Sequence, residues 1–254
     1  MISTSSTEIH MLEDVLLKGE VIPDFDWELR MLTNEDCLSY VAWNRKTKEA
    51  LLVDPKREDA EACRDIIQGL ADHAFIAVID THTHADHVSV AAEFASELKA
   101  PLIMHEKSAS RRVQIRISKE TQIHTSASPL RFFPTPGHTN DSICVLWGPF
   151  LFTGDTILFG DVGRDDLPTG DAVQHYESLS RMRELMASDG EELGRQTIIL
   201  PGHDNKGGRA SSWNKQLALN PSLTQAKDDF VREAREFTAA PPKHMDEALR
   251  LNTQ

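Results

Sequence analysis

Thr81-His82-Thr83-His84-Ala85-Asp86-His87 places three histidines and one aspartate close together, directly after the apolar run Phe75-Ile76-Ala77-Val78-Ile79. That run reads as a buried strand, being rich in β-branched residues and too short for a helix. Imidazole and carboxylate together form the ligand set for zinc, iron or manganese. His82 and His84 stand two apart, so an extended segment projects both to one side. Asp86 and His87 fall where a helix is expected to start, since Val88 to Leu98 is mostly apolar with Glu93 and Glu97 spaced among it. A polar strand-end loop accounts for a single histidine; ligand-type residues at this density point to a metal site.

One loop cannot surround a metal, and three further segments offer the missing ligands. Thr135-Pro136-Gly137-His138 follows Leu130-Arg131-Phe132-Phe133. Phe152-Thr153-Gly154-Asp155 follows Gly148-Pro149-Phe150-Leu151, and Pro201-Gly202-His203-Asp204 follows Thr197-Ile198-Ile199-Leu200. In each, glycine precedes the ligand and allows a sharp turn and close backbone approach. Four strand ends are thereby expected to converge at the rim of a layered α/β domain.

The order His82-x-His84-x-Asp86-His87, His138, Asp155, His203 resembles the metallo-β-lactamase superfamily, and the resemblance runs from about residue 28 to the end. It implies an α/β (α+β) fold, a single-domain αββα sandwich with the metal site at one edge of two facing sheets. Residues 26–254 form this catalytic domain, C-terminal helix and tail included, after an N-terminal arm over 1–25. In the two-metal pattern His82, His84 and His138 hold the first ion, Asp86, His87 and His203 the second, and Asp155 bridges them. A β-lactamase of the superfamily is expected to lack the late aspartate. Asp155 therefore points to the glyoxalase II-like thioesterases, lactonases, RNase Z-type nucleases or persulfide dioxygenases.

Three stretches resemble the persulfide dioxygenases. They are Thr153-Gly154-Asp155 followed by Gly163-Arg164-Asp165-Asp166, then Asn220-Pro221-Ser222-Leu223-Thr224, then Pro242-Lys243-His244-Met245-Asp246-Glu247-Ala248. The resemblance implies one Fe(II) per chain on His82, His138 and Asp155, a 2-His-1-carboxylate triad with positions open to a sulfur ligand and O₂. His84, Asp86, His87 and His203 then orient the ligands. Asp86 and Arg164 are the further catalytic candidates, and Arg164 and Asn205 the substrate-side ones, a guanidinium matching a substrate carboxylate or, equally, fixing its own loop through Asp161, Asp165 or Asp166. The implied reaction oxidises glutathione persulfide to sulfite and glutathione. The alternative is a hydrolase with two Zn, in which a metal-bound hydroxide attacks a thioester or lactone and Asp86 orients it. A non-enzymatic metal-binding protein is disfavoured by the intact ligand set. Three features depart from the family: Asn205 replaces a common tyrosine, Asp165 replaces a threonine, adding negative charge near a thiolate-binding site, and the cysteine found near the end of some members is absent.

The net charge of −13 argues against nucleic acid or an anionic membrane as partner. Arg111, Arg112 and Arg116 read as a solvated face. Three scattered cysteines, Cys37, Cys63 and Cys144, form neither a disulfide framework nor a structural zinc motif and fit a reducing compartment. The first residues show no targeting segment, and no stretch is long enough to span a bilayer. These features give a cytoplasmic expectation, with a homodimer implied by the resemblance.

Strands are expected at Trp27–Leu32, Leu38–Trp43, Ala50–Asp54 and Pro101–Met104, with a hairpin loop over Asn44–Lys48. Helices are expected within Glu58–Leu70, Ala172–Met186 and, as the last one, Leu223–Phe237. A polar loop is expected at Asp189-Gly190-Glu191-Glu192. Ser108 to His124 shows no period and suggests a lid or an interface. His10, His73, His105, His124, His175 and His244 fall outside the ligand pattern and read as surface or core-edge residues. Cys144, alternating with apolar neighbours, reads as a buried structural thiol.

Overall fold

The computed structural model describes residues 7–11, 26–188, 197–204 and 208–254. Most of the N-terminal arm, the Asp189-Gly190-Glu191-Glu192 loop and Asn205 lie outside the described residues.

Seven strands form the first sheet: β1 (Glu8–Met11), β2 (Trp27–Asn34), β3 (Cys37–Asn44), β4 (Glu49–Val53), β5 (Ala74–Ile79), β6 (Leu102–His105) and β7 (Ile115–Ile117), side by side in that order. The first four run antiparallel, and β4 to β7 pair in parallel. The second sheet has the order β13-β12-β11-β10-β9-β8. Its strands are β8 (Thr121–Ile123), β9 (Leu130–Pro134), β10 (Ile143–Trp147), β11 (Phe150–Gly154), β12 (Ile198–Pro201) and β13 (Ser211–Ser212).

Period-2 alternation decides the layers, because both faces of the central strands are apolar. Tyr40 and Ala42 of β3, Leu51 and Val53 of β4, and Val145 and Trp147 of β10 fill the core between the sheets. There Trp27 meets Trp147 edge-on, with ring centroids 4.6 Å apart. The alternate residues Val41, Trp43, Ala50 and Leu52 face outward and are covered by α1 (Ala60–Gly69) and α2 (Ala91–Leu98). On the far side, Cys144, Leu146, Leu151 and Ile199 are covered by α3 (Ala172–Ser188), α4 (Trp213–Leu219) and α5 (Lys227–Glu236). The result is the expected αββα sandwich. Burial pushes the Cys63 thiol up to about 12 and the Cys144 thiol to about 11, as suits inert structural sulfur.

The structure differs from the sequence reading in four places. Glu8–Met11 of the arm is an edge strand antiparallel to β2. Residues 108–124, read from the sequence as a segment without a period, contain two short strands. They carry β7 at the edge of one sheet and β8 at the edge of the other, each too short to show a period. Arg116 donates to the carbonyls of Ser108 and Ser110 there, and Arg112 pairs with Glu93. The helix expected from Val88 begins only at Ala91, which leaves Asp86 and His87 in irregular chain. Finally, α5 is followed by α6 (Met245–Asn252).

The β3–β4 hairpin depends on Asn44, whose buried Oδ1 accepts from the amides of Lys46 (3.1 Å) and Thr47 (3.0 Å). Asn44→Ala is expected to lower unfolding stability by about 1–2 kcal/mol, read as a shift in denaturant midpoint at unchanged slope.

Candidate metal centre

The C-terminal ends of β5, β9, β11 and β12 deliver His82, His138, Asp155 and His203 to one rim, where the two sheets are joined by backbone hydrogen bonds. Ile143 N donates to Thr81 O (2.8 Å), Leu38 N to Gly202 O (2.8 Å) and Asp204 N to Asp36 O (2.8 Å). Two glycines make this closeness feasible. Gly154 has φ +48°, and a Cβ there would lie 2.4 Å from Thr81 Oγ1; one on Gly202 would lie 2.4 Å from Asp155 Oδ1.

One ligand atom from each of His82, His138 and Asp155 falls within a 4.8 Å group, and all three residues are buried. Each is oriented from behind. Thr81 Oγ1 donates to Asp54 Oδ2 (2.8 Å), so it accepts from His82 Nδ1 (3.1 Å). His138 Nδ1 donates to the Arg164 carbonyl (2.7 Å). His203 Nδ1 donates to Asp155 Oδ1 (2.9 Å). This bonding fixes both tautomers, leaving the Nε2 lone pairs of His82 and His138 and Asp155 Oδ2 for a metal. Burial, then the neighbouring His84 ring, holds His82 well below the usual imidazole range, so it is neutral as a ligand must be. Burial opposes ionisation of Asp155, yet His203 and His138 outweigh it and hold the carboxyl far below its usual range.

His84 lies beside His82, with ring centroids 4.2 Å apart, as two-residue spacing requires. Its donor falls into other compact groups, one with Asp86 and His87 and one with Asp54 and Asp80. His84 Nε2 donates to Asp54 Oδ1 (3.2 Å), while His84 Nδ1 and His87 Nε2 are buried without a hydrogen-bond partner. Asp86 Oδ2 accepts from His87 Nδ1 (3.0 Å) and His203 Nε2 (3.1 Å). Orphaned imidazole nitrogens in a buried polar cluster are what a metal-binding rim presents.

Four residue assignments change. Arg164 does not point a free guanidinium at a substrate carboxylate. Its Nε and Nη2 donate to Asp166 (2.5 and 2.7 Å), and Nη1 and Nη2 to the carbonyls of Ala240 and Ala239 (2.8 and 3.0 Å). The loop-fixing alternative is the one observed, and the group that reaches the metal centre is the Arg164 carbonyl. Asp165 adds no open negative charge beside the site: it is buried against His175 Nδ1 (2.6 Å). His175 in turn is fully buried rather than superficial, with Nε2 donating to the Thr156 carbonyl (2.8 Å). His105 is buried as well.

Several residues of the centre carry no local signal in the sequence. Cys37 Sγ lies 3.0 Å from Asp86 Oδ2, across a separation of 49 residues. Asp54, at the end of β4, takes φ +48° and receives Thr81 N (2.7 Å), Thr81 Oγ1 and His84 Nε2. Its place after an apolar run, on the strand beside β5, is the clue that marks it as a rim residue. Asn252 in α6 donates to the carbonyls of His84 and His87 (both 2.9 Å) and accepts from Ser89 N (2.9 Å), holding the metal loop from outside. Asn252→Asp keeps the shape but turns an oxygen toward the two carbonyls. It is expected to weaken Fe(II) or Co(II) binding about 10–100-fold and to lower metal-free stability by about 1–2 kcal/mol, checked by metal titration beside thermal denaturation.

Residues 32–203 match the family described as the metallo-beta-lactamase superfamily. The chain belongs to the metallo-β-lactamase superfamily. Among its relatives is the mitochondrial persulfide dioxygenase ETHE1 of Homo sapiens, 27% identical over 216 residues, covering 84% of this chain and 82% of the relative. A hydroxyacylglutathione hydrolase of Anaeromyxobacter dehalogenans is 29% identical over 180 residues, covering 70% of this chain and 65% of the relative. The crystal structure of ETHE1 from Myxococcus xanthus superposes with a TM-score of 0.78 at 27% identity, covering 89% of this chain and 97% of that one. This metallo-β-lactamase superfamily member is therefore similar to the persulfide dioxygenases along most of its length. No helix among the described residues is long and apolar enough to cross a membrane.

Proposed function

We propose that the protein is a mononuclear iron sulfur dioxygenase that converts glutathione persulfide, dioxygen and water to glutathione and sulfite. The observation that carries this reading is the compact, buried group of two imidazoles and one carboxylate, His82, His138 and Asp155, to which the donor of His84 does not belong. Similarity to persulfide dioxygenases over most of both chains supports it. A ferrous ion held by these three residues would supply coordination open to a thiolate-type sulfur and O₂. One ligand carboxylate leaves the divalent centre net positive, which favours an anionic persulfide sulfur. Asp54 and Thr81 hold His82, the Arg164 carbonyl holds His138, and His203 holds Asp155, so the three donor atoms are aimed before substrate arrives. Asp86, hydrogen-bonded to His203, supports that orientation one step farther out.

A binuclear zinc hydrolase is the second reading. Buried, unpartnered His84 Nδ1 and His87 Nε2 favour it, as does similarity to the hydroxyacylglutathione hydrolase. The two readings separate on metal content and oxygen uptake. With iron and zinc both supplied, the dioxygenase is expected to hold about one iron per chain and to consume O₂ and release sulfite when given glutathione persulfide. Two zincs per chain, no O₂ uptake and cleavage of S-lactoylglutathione or a lactone would assign the hydrolase. The same reading puts the enzyme in the cytoplasm, with its three cysteines free thiols, as a homodimer acting on small molecules rather than on nucleic acid or membrane.

A further inference from the structure

His175 sits on α3 with no exposed surface, and both of its ring nitrogens are bonded. Nδ1 is bonded to Asp165 Oδ1 (2.6 Å), and Nε2 donates to the Thr156 carbonyl (2.8 Å). These two partners adjoin the iron ligands. Thr156 follows Asp155 in the chain, and its hydroxyl is bonded to that of Thr135 (2.9 Å), which precedes the Pro136-Gly137-His138 turn. Asp165 follows Arg164, whose carbonyl accepts from His138 Nδ1 (2.7 Å). One imidazole therefore stands behind the loops that place two of the three donors.

Helix and ligand turn are fixed together around this ring. Ser178 Oγ, one turn along α3, donates to the Pro136 carbonyl (2.7 Å), and Asp171 N, just before the helix, donates to the Gly137 carbonyl (2.7 Å). The approach is so close that a Cβ on Gly137 would lie 2.3 Å from His175 Cα. Phe230 of α5 meets the ring edge-on, with centroids 5.7 Å apart. The guanidinium of Arg164 is taken up by Asp166, Ala239 and Ala240. Toward the metal centre the same loop is held by Gly163 N, donating to Asp155 O (2.8 Å), and by the buried Asp165 side chain.

We propose that His175 and Asp165 are a positioning pair that sets where the His138 and Asp155 donors stand relative to each other, and so the metal affinity of the centre. Neither residue offers a donor to the compact ligand groups found among the described residues. The imidazole works as a rigid spacer: no torsion lies between its two nitrogens, so a shift of one bonded partner is passed to the other. Donors have to be held within about 0.5 Å of the working geometry, which makes such a spacer consequential. The role rests on the three-ligand centre of the proposed function, and it is read from metal binding without turnover. A pair that only stabilised the sandwich would leave the metal untouched. The two roles separate because replacing both partners by apolar residues leaves no buried charge unpaired.

The test is an anaerobic Co(II) titration of the metal-free full chain, read by the visible ligand-field bands of cobalt and by competition with a chromophoric chelator, beside thermal denaturation of the metal-free form. Asp165→Val is expected to lower the melting temperature and to weaken cobalt binding about 10–100-fold, with shifted bands. Adding His175→Leu to it removes the ring left without its partner. The melting temperature is then expected to return toward the wild-type value, while affinity and bands stay as in the single variant. Affinity restored together with melting temperature, or cobalt bound at wild-type strength by Asp165→Val, would overturn the proposal. Asp165→Asn decides the matter where the double variant folds poorly. Its amide offers either an oxygen or an N–H to His175 Nδ1, so wild-type bands and affinity are expected, and a loss as large as that of Asp165→Val would overturn the proposal equally. Oxygen uptake with glutathione persulfide by the iron-loaded wild-type protein tests the dioxygenase reading separately.

Discussion

Asp155→Asn is expected to abolish O₂ uptake and to strip the protein of iron at the same time. Asp155 is the sole anion of the triad, and Asn is nearly isosteric, so the change removes charge without opening a cavity. The loss at a donor itself should exceed the about 10–100-fold typical when an outer hydrogen-bond partner is removed. A second effect adds to it. Asp155 Oδ1 accepts from His203 Nδ1, and the surrounding His203, His138 and His82 are what hold the buried carboxyl ionised. An amide there leaves the His203 ring without one of its two carboxylate partners. Metal analysis after gel filtration and an oxygen electrode check both halves. Retained iron with full uptake would remove Asp155 from the metal centre and with it the dioxygenase reading.

Asp54→Ala is expected to have the largest effect on stability, about 3–5 kcal/mol, the range for breaking a buried charge pair from one side. Asp54 is 2% exposed and accepts three hydrogen bonds, from Thr81 N, Thr81 Oγ1 and His84 Nε2. Burial pushes its carboxyl up, but His84, then His82 and the Thr81 amide, bring it below the ordinary range, so the charge is present in the native state. Alanine leaves a buried amide, hydroxyl and imidazole nitrogen without an acceptor. Thr81 Oγ1 is then free to rotate, and His82 loses what fixes its tautomer. Iron affinity should therefore fall along with stability. Equilibrium denaturation of metal-free protein measures the first and metal titration the second. A stability change below about 1 kcal/mol would mean that Asp54 is not the anchor of this rim.

The sequence by itself determined the strands that carry the ligands. Phe75–Ile79, Leu130–Phe133, Phe150–Thr153 and Ile198–Leu200 are short apolar runs ended by glycine or polar residues, and the structure has strands there. It also determined which residues reach the rim, because a ligand directly after a strand end can only project from that end. Both signals are local, written within a few residues of each other.

What the sequence left open depends on contacts between distant segments. Ser108–His124 divides between two sheets, which three-residue strands cannot announce. The Asp165 departure finds its explanation in His175, ten residues away on a helix. Arg164 had two readings of equal merit, and its guanidinium is found paired with Asp166 and bonded to the carbonyls of Ala239 and Ala240, some 75 residues away. Asn252 reaches back more than 160 residues to hold the metal loop. Cys37 becomes a neighbour of Asp86 and His203 only because one sheet packs its edge against the other. Strand chemistry is set by neighbours along the chain, whereas ligand orientation is set by groups behind the ligand. Those groups come from wherever the sandwich brings its layers together, so only the tertiary structure could show them.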